Sequence, residues 1–439
     1  MSQALRITVA LAALSAHLAV PVSAQPPTAA VLKAKVDQIM PKVVAWRRDI
    51  HQHFELGNRE TRTARIVAEH LRSLGMDVQA NVAHTGVVGV LTGGRPGPVV
   101  ALRADIDALP VTEMVDVPFR SRVRGLFNGD SVGVMHACGH DNHVAILMGV
   151  AEVLAGMKAT LPGTVKFIFQ PAEEGPPAGE DGGARMMIAQ GVLTNPAPEV
   201  IFGLHVWADS AGRITYRPRG AMAGGDGLRI VVLGRQTHGA MPWGGVDPVV
   251  VSAQIINAMQ TVTSRQTDLT LAPAVVTIAT IHGGVRGNII PDSVVMTGTV
   301  RTLDPKQRED IRQRVRRTAE KTAESFGATA RVTLEQGYPV TYNDPALTEW
   351  ALASLRSAAD GRVALAPPTM GSEDFSYFQQ KIPGLYFFLG VTPRGQDPAT
   401  APKNHSPYFA ADEFALPVGV RSLTQLTLDY LARPAAMTP

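Results

Sequence analysis

Cysteine is nearly absent from this sequence: Cys138 is the one cysteine among 439 residues. A single cysteine excludes a disulfide bond within the chain, and a chain of this length can bury a sufficient core without one. Charged residues are also few, at 18%, and the net charge of +3 comes without a dense basic stripe, which argues against a nucleic-acid partner. After the N-terminus no run of about 18 apolar residues occurs, so no membrane span is predicted there.

The N-terminus carries the features of a targeting segment. Arg6 precedes residues 7–20, which are almost all apolar or small, and residues 22–24 fit the small-residue pattern of a cleavage site. We therefore predict a secretory signal peptide over residues 1–24, cleaved after Ala24, and a periplasmic or secreted protein. A buried N-terminal helix is the alternative. A free thiol in an oxidising compartment is a liability unless something, such as a metal ion, binds it.

Two different patterns divide the rest of the chain. Residues 25–217 and 336–439 alternate predicted strands with helices, which is typical of an α/β sheet of mostly parallel strands. Residues 218–335 instead follow the order strand, helix, strand, strand, helix, strand, which is that of a ferredoxin-like (βαββαβ) unit. The predicted fold class is therefore α/β, with a mostly parallel-sheet catalytic domain interrupted by an inserted smaller domain.

Helix-capping signals occur at two positions that bear on this division. Asp141 is predicted to be the N-cap of an apolar helix over residues 144–157. In the smaller domain, Asp304 with Pro305 after it predicts the start of the second helix, because proline suits the first helical position.

Five candidate metal ligands lie in four separate segments of the sequence. They are Cys138, His140, Glu174, His205 and His405. Thiolate, imidazole and carboxylate groups are ligands of zinc-like ions, and sites in open α/β sheets collect at the carboxyl ends of strands. Five ligands exceed the three protein ligands typical of one catalytic zinc ion, so they suit two ions that share a bridging group.

Two adjacent carboxylates, Glu173 and Glu174, directly follow a predicted strand that Pro171 ends. On non-helical backbone, neighbouring side chains point in different directions. One carboxylate can therefore bind a metal ion while the other faces the substrate water. Taken alone, such a pair is more often part of a solvated loop, and a single histidine is more often packed or at the surface.

Two other hydrolase mechanisms are open alternatives. Residues 129–133 match the G-x-S-x-G pattern of a nucleophile elbow around Ser131, but no helix is predicted between residue 133 and Asp141, so the strand-turn-helix context is missing. Cys138 is a candidate thiol nucleophile because His140 is close to it.

A series of short motifs occurs in a fixed order along the chain. They are Arg47–His51, Arg103–Pro110, His136–Asp141, Pro171–Gly175, Gly203–His205, Thr237–Pro242, Asn288–Asp292, Gly371–Phe375 and Asn404–Pro407. In this order they resemble the dinuclear metallo-amidohydrolases related to aminoacylase and zinc carboxypeptidases. Within that family the chain is similar to the branch of hippurate hydrolases and plant auxin–amino acid conjugate hydrolases. The resemblance spans essentially the whole mature chain.

The resemblance implies that all five candidates are metal ligands and that Glu173 is the catalytic base. It implies two divalent ions, of manganese, zinc, nickel or cobalt. Arg103 opens a segment in which related carboxypeptidases have a ligand histidine, so Cys138 with His140 is expected to take over that function. Asp105 is expected either to orient a neighbour or to be a strand-end carboxylate that accepts hydrogen bonds from the backbone.

The resemblance also implies functions for three residues of the smaller domain. His238 is expected to reach an active site, often across a dimer interface, and to stabilise the oxyanion. Asn288 and Arg301 are expected to bind the substrate carboxylate; a turn asparagine and a solvated strand arginine are the alternatives. A homodimer through the smaller domain follows as an expectation. Residues 176–181 lengthen a loop near the site and could alter substrate choice.

The expected activity is metal-dependent hydrolysis of the amide bond of N-acyl or N-aroyl amino acids to an acid and a free amino acid. A dipeptidase or carboxypeptidase of the same family is the alternative within this class. Outside it, a cysteine or serine hydrolase and a catalytically silent metal-binding protein remain, although the intact Glu173 argues against the last.

Overall fold

The computed structural model describes residues 27–433. The predicted signal peptide lies outside the described residues. Within them, no helix combines the length and the hydropathy that crossing a bilayer requires.

The helices and strands are numbered in chain order. The helices are α1 Ala29–Gln52, α2 Thr61–Ser73, α3 His140–Ala155, α4 Gly183–Ala189, α5 Pro248–Arg265, α6 Pro305–Ser325, α7 Pro345–Ala358, α8 Ser376–Gln379 and α9 Leu416–Leu431. The strands are β1 Asp77–Val82, β2 Gly86–Thr92, β3 Arg95–Asp105, β4 Arg124–Phe127, β5 Asp130–Gly133, β6 Pro162–Gln170, β7 Val200–Ser210, β8 Ile214–Tyr216, β9 Arg219–Met222, β10 Gly224–Leu233, β11 Thr237–His238, β12 Ala274–Gly283, β13 Ile289–Ile290, β14 Ser293–Thr302, β15 Thr329–Gln336, β16 Thr341–Asn343, β17 Val363–Leu365 and β18 Gly384–Thr392.

The larger sheet has eight strands in the order β1-β2-β6-β3-β7-β18-β8-β17. Its centre is parallel, since β3 pairs in parallel with β6 and β7, and β7 pairs in parallel with β18. The strands at the β1 end pair antiparallel. This arrangement confirms the predicted α/β class. Central strands of this sheet are almost continuously buried, as expected when helices cover both faces.

Helix α3 is the apolar centre of the larger domain and packs against α1, α9 and β3. It begins at His140, and its N-cap is Gly139, whose φ of 93° is left-handed. A Cβ atom at this position would lie 2.4 Å from Val206 Cγ2, so glycine is required for space as well as for φ. The prediction that Asp141 caps this helix is therefore wrong; Asp141 lies inside α3, where its carboxylate accepts from Arg47 Nε at 2.7 Å.

The smaller sheet has four antiparallel strands in the order β12-β14-β10-β15. In the chain they follow the order β10, α5, β12, β14, α6, β15, which confirms the predicted ferredoxin-like unit. Its hydrophobic core is separate from that of the larger domain, and alternate residues of β10 are buried beneath α5 and α6. Asp304 caps α6 as predicted, accepting from the backbone of Lys306 and Gln307 at 3.0 and 2.9 Å.

The chain passes twice between the two sheets, and the two crossings are hydrogen-bonded to each other. Gly225 N, at the start of β10, donates to the carbonyl of Tyr338 at 3.0 Å, just after β15. Beside the second crossing, a cavity of about 360 Å³ separates α6 from α8. Backbone hydrogen bonds continue through both crossings, so no break in the structure marks where the inserted domain begins or ends. Its predicted boundaries at residues 218 and 335 stay predictions.

Candidate metal centre

The five predicted ligand residues lie together at one edge of the larger sheet. The donor atoms of Cys138, His140 and His205 all lie within 4.8 Å of one another, as do those of Cys138, Glu174 and His405. The Cys138 sulfur belongs to both groups. The structure thus gathers residues that are up to 267 positions apart in the chain into two adjoining sets of three donors.

Hydrogen bonds orient the two buried histidines so that their Nε2 atoms face the cluster. His140 Nδ1 is 2.8 Å from the carbonyl of Asp107, and His205 Nδ1 is 2.6 Å from that of Val206. Because a carbonyl only accepts, both Nδ1 atoms carry a proton, and in the neutral form of each ring the Nε2 atom has the lone pair that can bind a metal ion. His205 Nε2 lies 3.3 Å from Cys138 Sγ. Metal-binding histidines typically donate a hydrogen bond from the other ring nitrogen to a carbonyl in this way.

His405 is held at the cluster by its backbone. Its φ of 71° is left-handed, and its N–H donates to the carbonyl of Ala137 at 2.8 Å. The amide of Asn404 donates to the carbonyls of Cys138 and Val206, both at 3.0 Å. His405 Nε2 therefore lies 3.2 Å from Cys138 Sγ and 3.0 Å from Glu174 Oε1.

The chemistry of this donor set fits a metal ion. His140 Nε2 and Glu174 Oε1 are buried and lack a hydrogen-bond partner among the described residues. Burial and the nearby Glu174 and Glu173 raise the pKa of the Cys138 thiol well above its ordinary value. Without a cation the thiol therefore keeps its proton, and polar donor atoms crowded together in a buried site are costly unless a cation binds them. Sulfur, nitrogen and oxygen together suit a borderline-soft divalent ion.

Glu173 is buried beside the cluster but outside the two groups that share Cys138. Its Oε2 atom lies 3.9 Å from His140 Nε2. Burial and the nearby Glu373 and Glu174 raise the pKa of Glu173 well above its ordinary value. A carboxylate with a raised pKa next to the donor cluster has the position and the proton affinity of a general base.

His143 lies close to the cluster, but both of its ring nitrogens are engaged elsewhere. Val206 N–H donates to Nε2 at 2.8 Å, so the proton is on Nδ1, which donates to Asp105. The other Asp105 oxygen accepts from Arg103 Nη1 at 2.7 Å. Asp105 therefore orients a neighbouring histidine rather than binding backbone groups. The sequence analysis did not identify His143, although its spacing of three residues from His140 places both side chains on the same face of a helix.

Arg103 is fully buried and forms the centre of an ionic cluster behind the donor atoms. It donates to Glu373 Oε1 at 2.9 Å and to Asp374 Oδ1 at 2.8 Å, as well as to Asp105. Arginine has no lone pair available for a metal, so the structure agrees that Arg103 is not a ligand. The sequence analysis noted the motif that contains Glu373 and Asp374. It did not predict that these two carboxylates neutralise the charge of Arg103.

Three side chains hold the loop that carries Glu173 and Glu174. Glu60 Oε1 accepts from Ala172 N at 2.9 Å, where φ is 50°, and Asp107 Oδ2 accepts from Glu174 N at 3.0 Å. The Tyr338 hydroxyl donates to the carbonyl of Glu173 at 2.7 Å. The sequence assigned no function to these three residues, although Asp107 is part of the motif Arg103–Pro110, because each acts on backbone atoms of a distant segment.

The three candidate residues of the smaller domain occupy two different places. Arg301 Nη1 donates to Ser372 Oγ at 2.6 Å, next to Glu373 of the larger domain. His238 lies in β11, and Asn288, directly before β13, accepts from Gly239 N at 2.9 Å through its carbonyl, so the two residues are neighbours. His238 is exposed, and within residues 27–433 its side chain forms one hydrogen bond, from Ala240 N at 3.0 Å.

Ser131 does not occupy a nucleophile elbow. It lies in β5 of the β4–β5 hairpin, is exposed, and its Oγ accepts from Arg124 Nε at 3.1 Å. The structure therefore excludes the elbow geometry. The raised pKa of Cys138 and the absence of a cationic side chain bound to its sulfur in the described range also argue against a thiolate nucleophile.

Comparison with known proteins identifies the family. The sequence model of peptidase family M20/M25/M40 matches residues 101–429 of this chain. The chain belongs to this family. As an M20 family member it is a metal-dependent hydrolase that uses divalent metal, and the family resemblance seen in the sequence is confirmed.

The M20 family relatives cover nearly the whole chain. Thermostable carboxypeptidase 2 of Saccharolobus solfataricus is 41% identical over 91% of this chain and 98% of its own length. An IAA-amino acid hydrolase of Arabidopsis thaliana is 36% identical over 94% of this chain and 91% of its own. A solved Bacillus subtilis structure, described as a dinuclear metal-binding M20 peptidase, has a TM-score of 0.75 and 33% identity over 90% of this chain and 99% of its own.

Proposed function

We propose that this M20 hydrolase cleaves the amide bond of N-acyl or N-aroyl amino acids and releases an acid and a free amino acid. The observation that carries the proposal is the donor cluster around Cys138 with the separate buried carboxylate of Glu173 beside it. The relative named as an IAA-amino acid hydrolase supports amide substrates of this kind. The relative named as a carboxypeptidase supports the alternative, a peptidase.

We assign two divalent ions to the cluster, of manganese, zinc, nickel or cobalt. Cys138 would hold one ion with His140 and His205, and the other with Glu174 and His405. This assignment agrees with the related Bacillus subtilis structure, which is that of a dinuclear metal-binding peptidase. When bound, such ions lower the pKa of a shared water and polarise the scissile carbonyl.

The chain's own groups would then handle the proton and the substrate. Glu173 takes a proton from the attacking water and gives it to the leaving amine, which a buried carboxylate of raised pKa can do in both directions. Arg301 binds the substrate carboxylate; it has several N–H donors besides the one that Ser372 accepts. His238 stabilises the oxyanion, and Asn288, which lies beside it, contacts the substrate carboxylate.

The substrate class can be tested at Arg301 by varying both enzyme and substrate. N-acyl amino acids should be hydrolysed faster than dipeptides and faster than their own C-terminal amides. Arg301→Ala should reduce kcat/KM for the acids by about ten- to a hundredfold, because a charge-assisted hydrogen bond is lost. The same variant should largely erase the difference between acid and amide.

The measurement is kcat/KM for wild type and Arg301→Ala with one matched acid and amide pair. Arg229, which is an exposed arginine on β10 of the same sheet, gives the control Arg229→Ala, and it should retain the acid preference. An unchanged acid-to-amide ratio in Arg301→Ala would show that Arg301 does not recognise the carboxylate. Hydrolysis of dipeptides alone would favour the dipeptidase alternative.

A homodimer through the smaller domain would bring His238 to the partner's site. Strand β12 is at an edge of the smaller sheet and is largely exposed. Trp243, which follows His238 in the chain, is 79% exposed, and Val285, just after β12, is 94% exposed. Exposed edges and apolar patches of this kind favour association.

Mixing two inactive variants tests whether His238 acts across the dimer. Glu173→Gln and His238→Ala should each be nearly inactive alone. In a mixed dimer, the Glu173 of one subunit can meet the His238 of the other, so an equal mixture should regain about a quarter of wild-type activity. A mixture that stays inactive after subunit exchange, confirmed by mass spectrometry of mixed dimers, would place His238 in its own subunit's site.

We also propose that the protein is periplasmic or secreted and that it is cleaved after Ala24. The apolar residues 7–20 and the small residues 22–24 support this proposal. N-terminal sequencing of the mature protein would show Gln25 as the first residue.

A further inference from the structure

The segment that joins β15 to β16 contacts both the smaller domain and the loop with the general base. It contains Tyr338, whose carbonyl accepts from Gly225 N at 3.0 Å. Gly225 lies where the chain first crosses from the larger to the smaller domain. The hydroxyl at the other end of the same residue donates to the carbonyl of Glu173 at 2.7 Å. One side chain thus spans the distance from the domain crossing to the backbone of the base.

The Glu173 backbone needs such support. The residue before it, Ala172, has a φ of 50°, a left-handed conformation that costs free energy for any residue except glycine. Of the three side chains that hold this loop, Glu60 and Asp107 lie in the larger domain. Tyr338 is the one of the three that lies between the domains, so its position depends on how the smaller domain is placed.

The surroundings of Tyr338 keep its hydroxyl a donor. Burial and the nearby Asp374 and Glu173 raise the pKa of Tyr338, so the hydroxyl keeps its proton. Its ring packs at 79° against that of Tyr377, with centroids 5.9 Å apart. Pro339 and Val340, which follow it, are buried and fix the direction of the segment.

We propose that Tyr338 is a positioning residue for Glu173, through which the placement of the smaller domain acts on the general base. Tyr338 touches neither the donor atoms nor, in this assignment, the substrate; it acts through the Glu173 carbonyl. The inference rests on the proposed function in one respect, because Glu173 is taken to be the base of that reaction.

Tyr338→Phe tests the inference by removing one oxygen atom. We expect kcat to fall about five- to tenfold, as for a lost hydrogen bond, while KM stays within about twofold of wild type. Metal content and the melting temperature should stay at wild-type values. Hydrogen exchange of the backbone amides of residues 173–175, measured without substrate, should become faster.

Tyr377→Phe is the matched control, because its ring packs on Tyr338 while its hydroxyl has no hydrogen-bond partner among the described residues. It should change none of these quantities. A wild-type kcat in Tyr338→Phe, or a fall in kcat that follows lost metal or a lower melting temperature, would overturn the inference. Failure of the proposed function would look different: wild type itself would not hydrolyse N-acyl amino acids, while the exchange measurement would still report on the Tyr338 contact.

Discussion

Replacing Glu173 by glutamine should lower kcat by about 10²–10⁴-fold, because general base catalysis contributes a factor of that size. Glutamine keeps the shape of the side chain but cannot accept the proton of the attacking water. Glu173 belongs to neither donor group that contains Cys138, although its carboxylate lies within 4.8 Å of donor atoms of His140 and Glu174. In the proposed function it binds no ion, so the metal content of the variant should equal that of wild type. The measurements are kcat under saturating substrate and metal content by elemental analysis.

Glu174→Gln is the control for this prediction, since the two residues are adjacent and the substitution is the same. Glu174 Oε1 lies 3.0 Å from His405 Nε2, inside a donor group. Its replacement should lower metal occupancy, and added metal should restore part of the activity. If instead Glu173→Gln loses metal and Glu174→Gln keeps it, the functions of the two carboxylates are reversed.

Removing divalent metal with EDTA should abolish hydrolysis, and added manganese, zinc, nickel or cobalt should restore it. The reason is the donor cluster itself, in which the thiol of Cys138, three imidazoles and the carboxylate of Glu174 converge. Activity that persists in protein shown to be free of metal would contradict this expectation. Serine-directed inhibitors should have little effect, because Ser131 lies in an exposed hairpin.

Cys138 offers a second measurement of the same prediction. The sulfur lies 3.3 Å from His205 Nε2 and 3.2 Å from His405 Nε2, so bound metal would occupy its lone pairs. Alkylation of Cys138 should be slow in the metal-loaded protein and faster after chelation. As it is the one cysteine in the chain, labelling can be counted without a background from other thiols. Equal rates in both states would argue that the thiol is not a ligand.

Much of the fold could be predicted because it follows from local patterns. Asp304 and Pro305 defined the start of α6, and the change from alternating strands and helices to the βαββαβ order revealed the inserted unit. The five candidate ligands could be singled out because thiol, imidazole and carboxylate side chains are chemically distinctive, and the structure brings them together, although His205 lies inside β7 rather than after it. The prediction at Asp141 failed because a buried arginine, Arg47, competes for a carboxylate that local rules assign to a cap.

The contacts that orient the site could not be predicted. Glu60 and Tyr338 act on backbone atoms more than 100 residues away, and no spacing in the sequence indicates such a bond. His143 resembles a ligand in composition, and only the bond from Val206 N to its Nε2 shows that its lone pair is used. The placement of His238 was equally hidden, because it depends on where the smaller domain sits rather than on any local pattern.

The parallel pairing of β7 with β18 has a consequence for how the chain folds. Ile201 pairs with Gly384, so the larger sheet joins segments that the whole smaller domain separates. Contacts over such long loops form slowly, whereas the smaller domain has a contiguous sequence and its own core. During synthesis, the smaller domain can therefore fold first. One side of β7 stays unpaired until the last quarter of the chain, which contains β18, has been made. His405 arrives with that last part, so high-affinity metal binding should be among the final events of folding and a reporter of its completion.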